Sequence, residues 1–201
     1  NEFAVIGERL GVDVRQAIDA ANSQPYSRVH APGVGVGGHC IPVYPYFLAG
    51  DDTALINAAR RTNDAMAAHA VARLSEALGG TLQGATAVVL GLAYRAGVKE
   101  SRHSSAFGLV EALTAAGATA YVHDPLYTDD EIRAHAIGDR ALAPPPSWPL
   151  PCDALVVQAW HAAYDSLDFA AFPGLRAVLD GRAALDAEDV RAKGLVYVGV
   201  G

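Results

Sequence analysis

Thr86–Arg95 reads TAVVLGLAYR, and the pattern of the chain changes there. Val88-Val89-Leu90 is a short apolar run that predicts a buried strand. From this strand outward the chain alternates. A helix is expected from Ser104 to Ala116, ended by Gly117, and a strand from Ala118 to Val122, ending at Asp124-Pro125. A short helix follows over Asp129–His135. Five prolines between Ala143 and Pro151 read as a surface excursion. Strands are expected at Leu155–Gln158, Ala177–Leu179 and Leu195–Val198, with a helix at Ala187–Lys193 before the last. Short apolar strands separated by helices predict an α/β fold with a parallel sheet covered on both faces. In such sheets ligands sit beyond the C-terminal strand ends. Here those ends are Gly91-Leu92-Ala93-Tyr94-Arg95, His123-Asp124-Pro125 and Asp180-Gly181-Arg182.

Upstream the periodicity is helical. Phe3, Ile6, Leu10, Val14, Ile18 and Ala21 keep a helical spacing, broken at Gly11, with Asp13 as an N-cap. Asp51-Asp52-Thr53 offers a second N-cap for a long Ala-rich helix reaching Leu78 and stopped by Gly79-Gly80. Small residues on several of its faces suit either packing between subunits or an ordinary core position. Residue 1 is Asn, and NEFAVIGERL already has the pattern of an amphipathic helix. A piece of a longer protein is therefore expected.

Between the helices lies Ala31–Leu48, APGVGVGGHCIPVYPYFL. Gly33, Gly35, Gly37 and Gly38 precede Cys40, and Pro42 and Pro45 follow it. Glycine permits close backbone approach and positive φ, and proline stiffens the exit. Two readings fit: a loop that fixes one thiol in place, or a Gly/Pro-rich surface loop with an incidental cysteine.

Composition narrows the class. The chain has 201 residues, 51% of them apolar, which is ample for a packed core. Its net charge is −7 and its basic residues are scattered, which argues against nucleic acid and anionic membrane as partners. No apolar run has the length of a membrane span, and a cytoplasmic location is expected. Two cysteines in unlike contexts do not suggest a disulfide, and seven histidines without ligand spacing do not suggest a metal.

The cysteine loop and the three strand-end segments together resemble the UDP-glucose/GDP-mannose dehydrogenase family. The resemblance covers essentially residues 1–201. It implies a central helical domain over residues 1–82, carrying the cysteine and a homodimerising helix at 52–78. It further implies a Rossmann-like UDP-sugar-binding domain over residues 83–201. The Gly-Gly-His-Cys-Ile-Pro form of the loop is similar to the branch acting on UDP-N-acetylhexosamines; branches acting on UDP-glucose or GDP-mannose more often show Ser or Tyr where His39 stands. The implied activity is oxidation of the primary alcohol of a UDP-sugar to a carboxylate with two NAD. Cys40 would add to the intermediate aldehyde as a thiohemiacetal, which becomes a thioester for water to cleave.

By the same resemblance Gly33, Val34, Gly35, Val36 and Gly37 line the sugar site. Tyr94 and Arg95 match an aromatic-then-basic pair on the nucleotide sugar, although the family usually has Lys at the second place. Arg182 matches a substrate-binding arginine, and Arg102 matches one that reaches NAD. Arg28 stands two positions from an arginine that enters a neighbouring subunit's site. Tyr44 occupies the place of an Asp thought to assist water. His39 is expected to pack or to shape the sugar pocket. The family's dinucleotide fingerprint, catalytic Lys and Asn and general-base Glu would precede Asn1, and Gly33-Val34-Gly35 neither follows a strand nor opens a helix. The chain by itself is therefore not expected to turn over. Two alternatives stay open: a nucleotide-sugar binding and dimerisation module without redox chemistry, and a Rossmann-like domain for another nucleotide.

Overall fold

Gly11 ends the first helix because it can take φ 67, and its N–H and that of Val12 then close on the carbonyls of Glu8 and Gly7. Helix α1 (Glu2–Leu10) gives way to α2 (Val14–Asn22), whose N-cap Asp13 accepts from the amides of Arg15 and Gln16 at 2.9 and 3.1 Å. The structure is a computed structural model that describes residues 1–50 and 52–201. Asp51, part of the expected second cap, lies outside the described residues. Thr53 holds the N-cap position of α3 (Ala54–Ala77), but its hydroxyl bonds to Gly50 rather than to the first turn of the helix.

The remaining elements are β1 (Thr86–Leu90), α4 (Ser105–Ala115), β2 (Thr119–His123), α5 (Asp129–Arg133), β3 (Ala136–Ile137), β4 (Arg140–Ala141), β5 (Ala154–Val157), β6 (Ala177–Asp180), α6 (Ala187–Ala192) and β7 (Val196–Gly199). Strands β2-β1-β5-β6-β7 form one parallel sheet in that order, with Val89 opposite Val122 and Val156, and Leu179 opposite Val198. The chain order reverses beside β1, which is the topological switch point of a doubly wound sheet.

Side-chain alternation assigns the two faces. Ala87, Val89, Val156, Ala177 and Leu179 point to one core, shared with Met66, Ala70, Val71 and Leu74 of α3 and Leu109 and Leu113 of α4. Val88, Leu90, Leu155, Val157 and Val178 point to the other, under Tyr164, Phe169, Phe172 and Val190. Ala4, Val14 and Ile18 join the first cluster, so the N-terminal helices and the sheet share a continuous core. Glu8 of α1 reinforces this, accepting from His69 at 2.5 Å, Arg73 at 2.8 Å and the Gly201 amide at 3.1 Å.

Two local expectations change, and one left open is narrowed. The proline segment is only partly a surface excursion. Pro144 and Pro145 are buried, and the Trp148 ring stacks on His123 at 3.6 Å and 3°. The α5 helix is shorter than expected, because Arg133 gives way to the β3–β4 hairpin, turned at Gly138-Asp139. The face of α3 that carries Met66 belongs to the core, while Ala59, Ala65, Ala68 and Ala72 are exposed. Among the described residues no helix is long and apolar enough to cross a membrane.

Candidate active site

The C-terminal strand ends and the cysteine loop meet, and backbone hydrogen bonds hold them together. Val34, 1% exposed, donates its amide to the Gly181 carbonyl at 3.1 Å. Gly38 donates to the Arg102 carbonyl at 3.0 Å. The Val36 amide donates to Asn63 Oδ1 of α3 at 2.8 Å, and the Gly33 amide to Asn1 Oδ1 at 3.0 Å. At Gly37 the need for glycine is steric: a Cβ there would lie 2.5 Å from the His103 carbonyl oxygen and 2.8 Å from Tyr94 Cβ. At Gly38 φ is 99, with the Tyr94 ring alongside. The loop is thus seated on the sheet edge over its whole glycine run.

Arg182 is the deepest tie. Its Nε donates to the Gln158 carbonyl at 2.7 Å, Nη2 to Gln158 Oε1 at 2.5 Å and Nη1 to the Gly35 carbonyl at 2.9 Å. Burial, with Arg15 adding to it, pulls the guanidinium down to about 10, so it remains charged near neutrality. Arg182 also lines a cavity of about 340 Å³ with Tyr94, Arg95, Gln158 and Trp160. Within this lining Arg95 Nε donates to the Tyr94 hydroxyl at 3.2 Å, and its guanidinium lies 5.8 Å from the Tyr94 ring centre.

Cys40 is exposed and free, one tight turn before Tyr44, whose amide donates to the Cys40 carbonyl at 2.8 Å. The Cys40 thiol, as hydrogen-bond partner and as a charge, raises the Tyr44 phenol above its ordinary value. A phenol in that place donates a hydrogen bond near neutrality, whereas a carboxylate accepts one. His39 turns to Glu100, with Nε2 3.0 Å from Oε2, and Arg102 Nη1 donates to His39 Nδ1 at 3.3 Å. The Arg102 amide and His39 together hold the Glu100 carboxyl below its usual range. Arg102 therefore sits on the loop, beside the residue that precedes the thiol. Arg28 is exposed and its Nη1 donates only to the neighbouring Ser27 carbonyl, at 2.7 Å; within one chain it is not brought to this cluster.

Four residues outside the expected set complete the arrangement: Asn63, Glu100, Asp124 and Gln158. Asp124, 2% exposed, accepts from the amides of Leu92, Ala93 and Leu126 at 2.8, 3.0 and 2.9 Å and from His161 Nε2 at 3.1 Å. Burial pushes its carboxyl up, but these donors together outweigh burial and hold it below its ordinary value. Gln158 ends the apolar run Ala154-Leu155-Val156-Val157, and a polar residue closing a buried strand is the sequence signal that marks it. The described residues do not form a dinucleotide cradle: the turn after β1 has a single glycine before Leu92, and Asp124 takes its amides.

A parallel sheet whose strand ends carry a cavity beside an anchored cysteine loop defines a doubly wound α/β protein with a presented thiol. Residues 1–68 match the central domain, and residues 88–187 the UDP binding domain, of the UDP-glucose/GDP-mannose dehydrogenase family. The chain belongs to that family. It is 33% identical to UDP-N-acetyl-D-mannosamine dehydrogenase of Pyrococcus horikoshii, over 100% of this chain and 47% of that protein. The solved structure of UDP-D-ManNAc dehydrogenase from the same organism superposes with a TM-score of 0.76 at 30% identity, covering 99% of this chain and 46% of that one. A UDP-glucose dehydrogenase structure from Pyrobaculum islandicum gives 0.76 at 29% identity, over 100% and 46%. The chain thus spans about half the length of the relatives it matches.

Proposed function

We propose that this chain is the cysteine-bearing and UDP-sugar-binding part of an NAD-dependent nucleotide-sugar 6-dehydrogenase acting on a UDP-N-acetylhexosamine. The observation that carries the reading is the anchoring of the Gly-Gly-His-Cys loop, through Arg182 and Val34, to the strand end that lines the Tyr94–Arg95–Trp160 cavity. A nucleotide in that cavity would direct its sugar toward the loop, and so toward Cys40. Two NAD, each accepting one hydride in turn, would be held mainly by residues outside this set, and Arg102 is the candidate here that reaches the cofactor.

In this reading Cys40 Sγ adds to the aldehyde carbon and keeps it from escaping. Loss of the second hydride to NAD would turn that thiohemiacetal into a thioester, which water cleaves to the carboxylate, releasing Cys40 as thiolate. Tyr44 stands where the usual Asp would, and its raised phenol makes it a hydrogen-bond donor rather than a base. The names of relatives such as the Pyrococcus protein support the N-acetylmannosamine class, and His39 is in keeping with it. The UDP-glucose dehydrogenase with an equal TM-score means that fold alone does not separate the sugars. The proposal further includes homodimerisation through the exposed face of α3, the division at residue 82, a cytoplasmic location, delivery of the uronic acid product to polysaccharide synthesis, and a role for Arg28 in a neighbouring copy's site.

A second reading is a nucleotide-sugar binding and dimerisation module with no turnover of its own. The missing dinucleotide cradle favours it for this stretch of chain in isolation. Titration calorimetry with UDP, UDP-N-acetylmannosamine and NAD tests the proposal. Heat with the two uridine ligands and none with NAD is expected; NAD binding without uridine binding would overturn it.

A further inference from the structure

Gln158 is fully buried at the end of β5, and every polar atom of its side chain is used. Nε2 donates to the Ala93 carbonyl at 2.9 Å and to Ser104 Oγ at 3.2 Å, and Oε1 accepts from Arg182 at 2.5 Å. The amide can face only this way, because a carbonyl cannot donate and a guanidinium cannot accept. One side chain therefore joins the turn after β1, the N-cap of α4 and the arginine that grips the glycine loop.

Arg182 reaches both the glycine loop and the cavity with hydrogen-bond donors. Three of its five N–H groups are taken, by the Gln158 carbonyl, Gln158 Oε1 and the Gly35 carbonyl. Its guanidinium also forms a wall of the Tyr94–Trp160 cavity. A guanidinium is a rigid planar fork, so fixing one edge of it fixes the other. The edge on Gly35 holds the backbone five residues before Cys40.

We infer that Gln158 is a positioning residue: it holds the Arg182 fork in the plane that transmits occupancy of the nucleotide cavity to the loop bearing Cys40. This rests on the reading of that cavity as a nucleotide site. A ligand acceptor that takes a remaining Arg182 N–H immobilises the fork, and the fork immobilises Gly35. Without the Gln158 amide, only the carbonyls of Gln158 and Gly35 hold the guanidinium, its fork is fixed less tightly, and the coupling between the two sites weakens. Coupling of this kind is a free energy that either site can report.

The readout is alkylation of Cys40 by iodoacetamide, followed by mass spectrometry with and without UDP. Cys152 does not interfere, because it is buried and its thiol is pushed up to about 12. UDP is expected to slow Cys40 alkylation by about fivefold or more in the wild-type chain. Gln158 itself lines the cavity, so Gln158→Met, of similar volume, is compared at a UDP concentration that saturates it by calorimetry, and there it should lose most of that protection. Gln158→Glu keeps an acceptor for Arg182 while losing the donor to Ala93 and Ser104; protection retained there supports the Arg182 contact as the coupling, and protection lost in a folded, UDP-saturated Gln158→Glu overturns it.

Protection that survives in a folded, UDP-binding Gln158→Met variant would overturn the inference, since UDP would then shield Cys40 directly. So would UDP binding to the wild type with no change in alkylation. If Gln158→Met does not fold, Arg182→Lys carries the same test: it keeps the charge, loses the fork and should lose protection, and retained protection overturns the inference. Absence of UDP binding in the wild type is a different result. It would remove the nucleotide reading of the cavity and the inference with it.

Discussion

Arg182 and Gly35 are 147 positions apart in sequence, and the guanidinium of one donates to the carbonyl of the other at 2.9 Å. The loop that presents the thiol is therefore part of the sheet's edge. Replacing Arg182 by Ala removes three donors and leaves the buried Gln158 Oε1 without its partner. Hydrogen bonds from charged donors contribute about 1.5–3 kcal/mol each but do not add fully, so a loss of about 2–4 kcal/mol is expected. Urea unfolding measures it; an unchanged midpoint would mean the loop is held mainly by its backbone contacts.

Thiol chemistry should be confined to one position. At neutral pH, iodoacetamide is expected to modify Cys40 in the native chain and to leave Cys152 unmodified until the protein is unfolded, because burial raises the Cys152 thiol to about 12. Peptide mapping of Cys40→Ser should show no native-state adduct. Rapid labelling of Cys152 would contradict its placement in the core under Phe172.

Gly37 gives a steric prediction. A methyl group there meets backbone at 2.5 Å, which no rotamer change relieves. Gly37→Ala should cost about 1–3 kcal/mol in loop seating and open residues 31–48 to proteolysis while the sheet stays folded. Limited digestion with and without UDP reads this out. A wild-type cleavage pattern would show that the loop can shift away from His103 at little cost.

Acid should destabilise the protein in a window set by His123. Burial lowers this imidazole from 6.5 to about 4, so the native state holds it neutral while the unfolded chain protonates it. The unfolded state binds the extra proton between those values, and stability falls as pH drops from about 6.5 to 4. Asp124 acts lower: its depressed carboxyl releases its contribution only below its ordinary 3.8. His123→Phe preserves a ring against Trp148, and its stability curve should be flatter between pH 4 and 6.5. An equally steep curve would assign the slope to another group.

The two faces of α3 should respond differently to substitution. Met66 is 1% exposed, so Met66→Ala is expected to cost about 2–5 kcal/mol. Ala68→Glu lies on the exposed face and should leave the melt nearly unchanged. In the proposed homodimer, light scattering gives twice the chain mass for the wild type and the monomer mass for Ala68→Glu. A wild-type monomer at high micromolar concentration would remove that interface.

The sheet was legible because its strands are short, apolar and punctuated. Val88-Val89-Leu90 and Leu155-Val156-Val157 leave few other assignments, and Gly11 and Gly117 end helices for local reasons. The β3–β4 hairpin was not legible, since two-residue strands have no periodicity to read. Nor was the burial of Pro144 and Pro145, which depends on the stacking of Trp148 on His123 rather than on proline chemistry. At the candidate site, Cys40, Tyr94 and Arg182 stand out by residue type and motif. Asn63 and Glu100 do not, because their partners on the loop lie 27 and 61 positions away, and Gln158 is marked only by its place at the end of an apolar strand. Met66 shows the converse limit: a helix rich in small residues does not reveal from sequence which face meets the sheet.

Asp124 has one further consequence. In doubly wound sheets the amides of the turn after the first strand, at the switch point, are where a ligand's phosphate is received. Here that receptor is already filled from within: the carboxylate of the neighbouring strand takes the amides of Leu92 and Ala93, with His161 closing the far side. The domain carries its own counter-anion, as a molecule might carry an internal inhibitor. A dinucleotide pyrophosphate arriving there would have to evict a carboxylate held by four N–H groups. Under the proposed reading, a uridine diphosphate is instead received to one side, by Arg95, Arg182 and the Tyr94 and Trp160 rings. A single acidic side chain thus closes the usual phosphate seat of a doubly wound sheet.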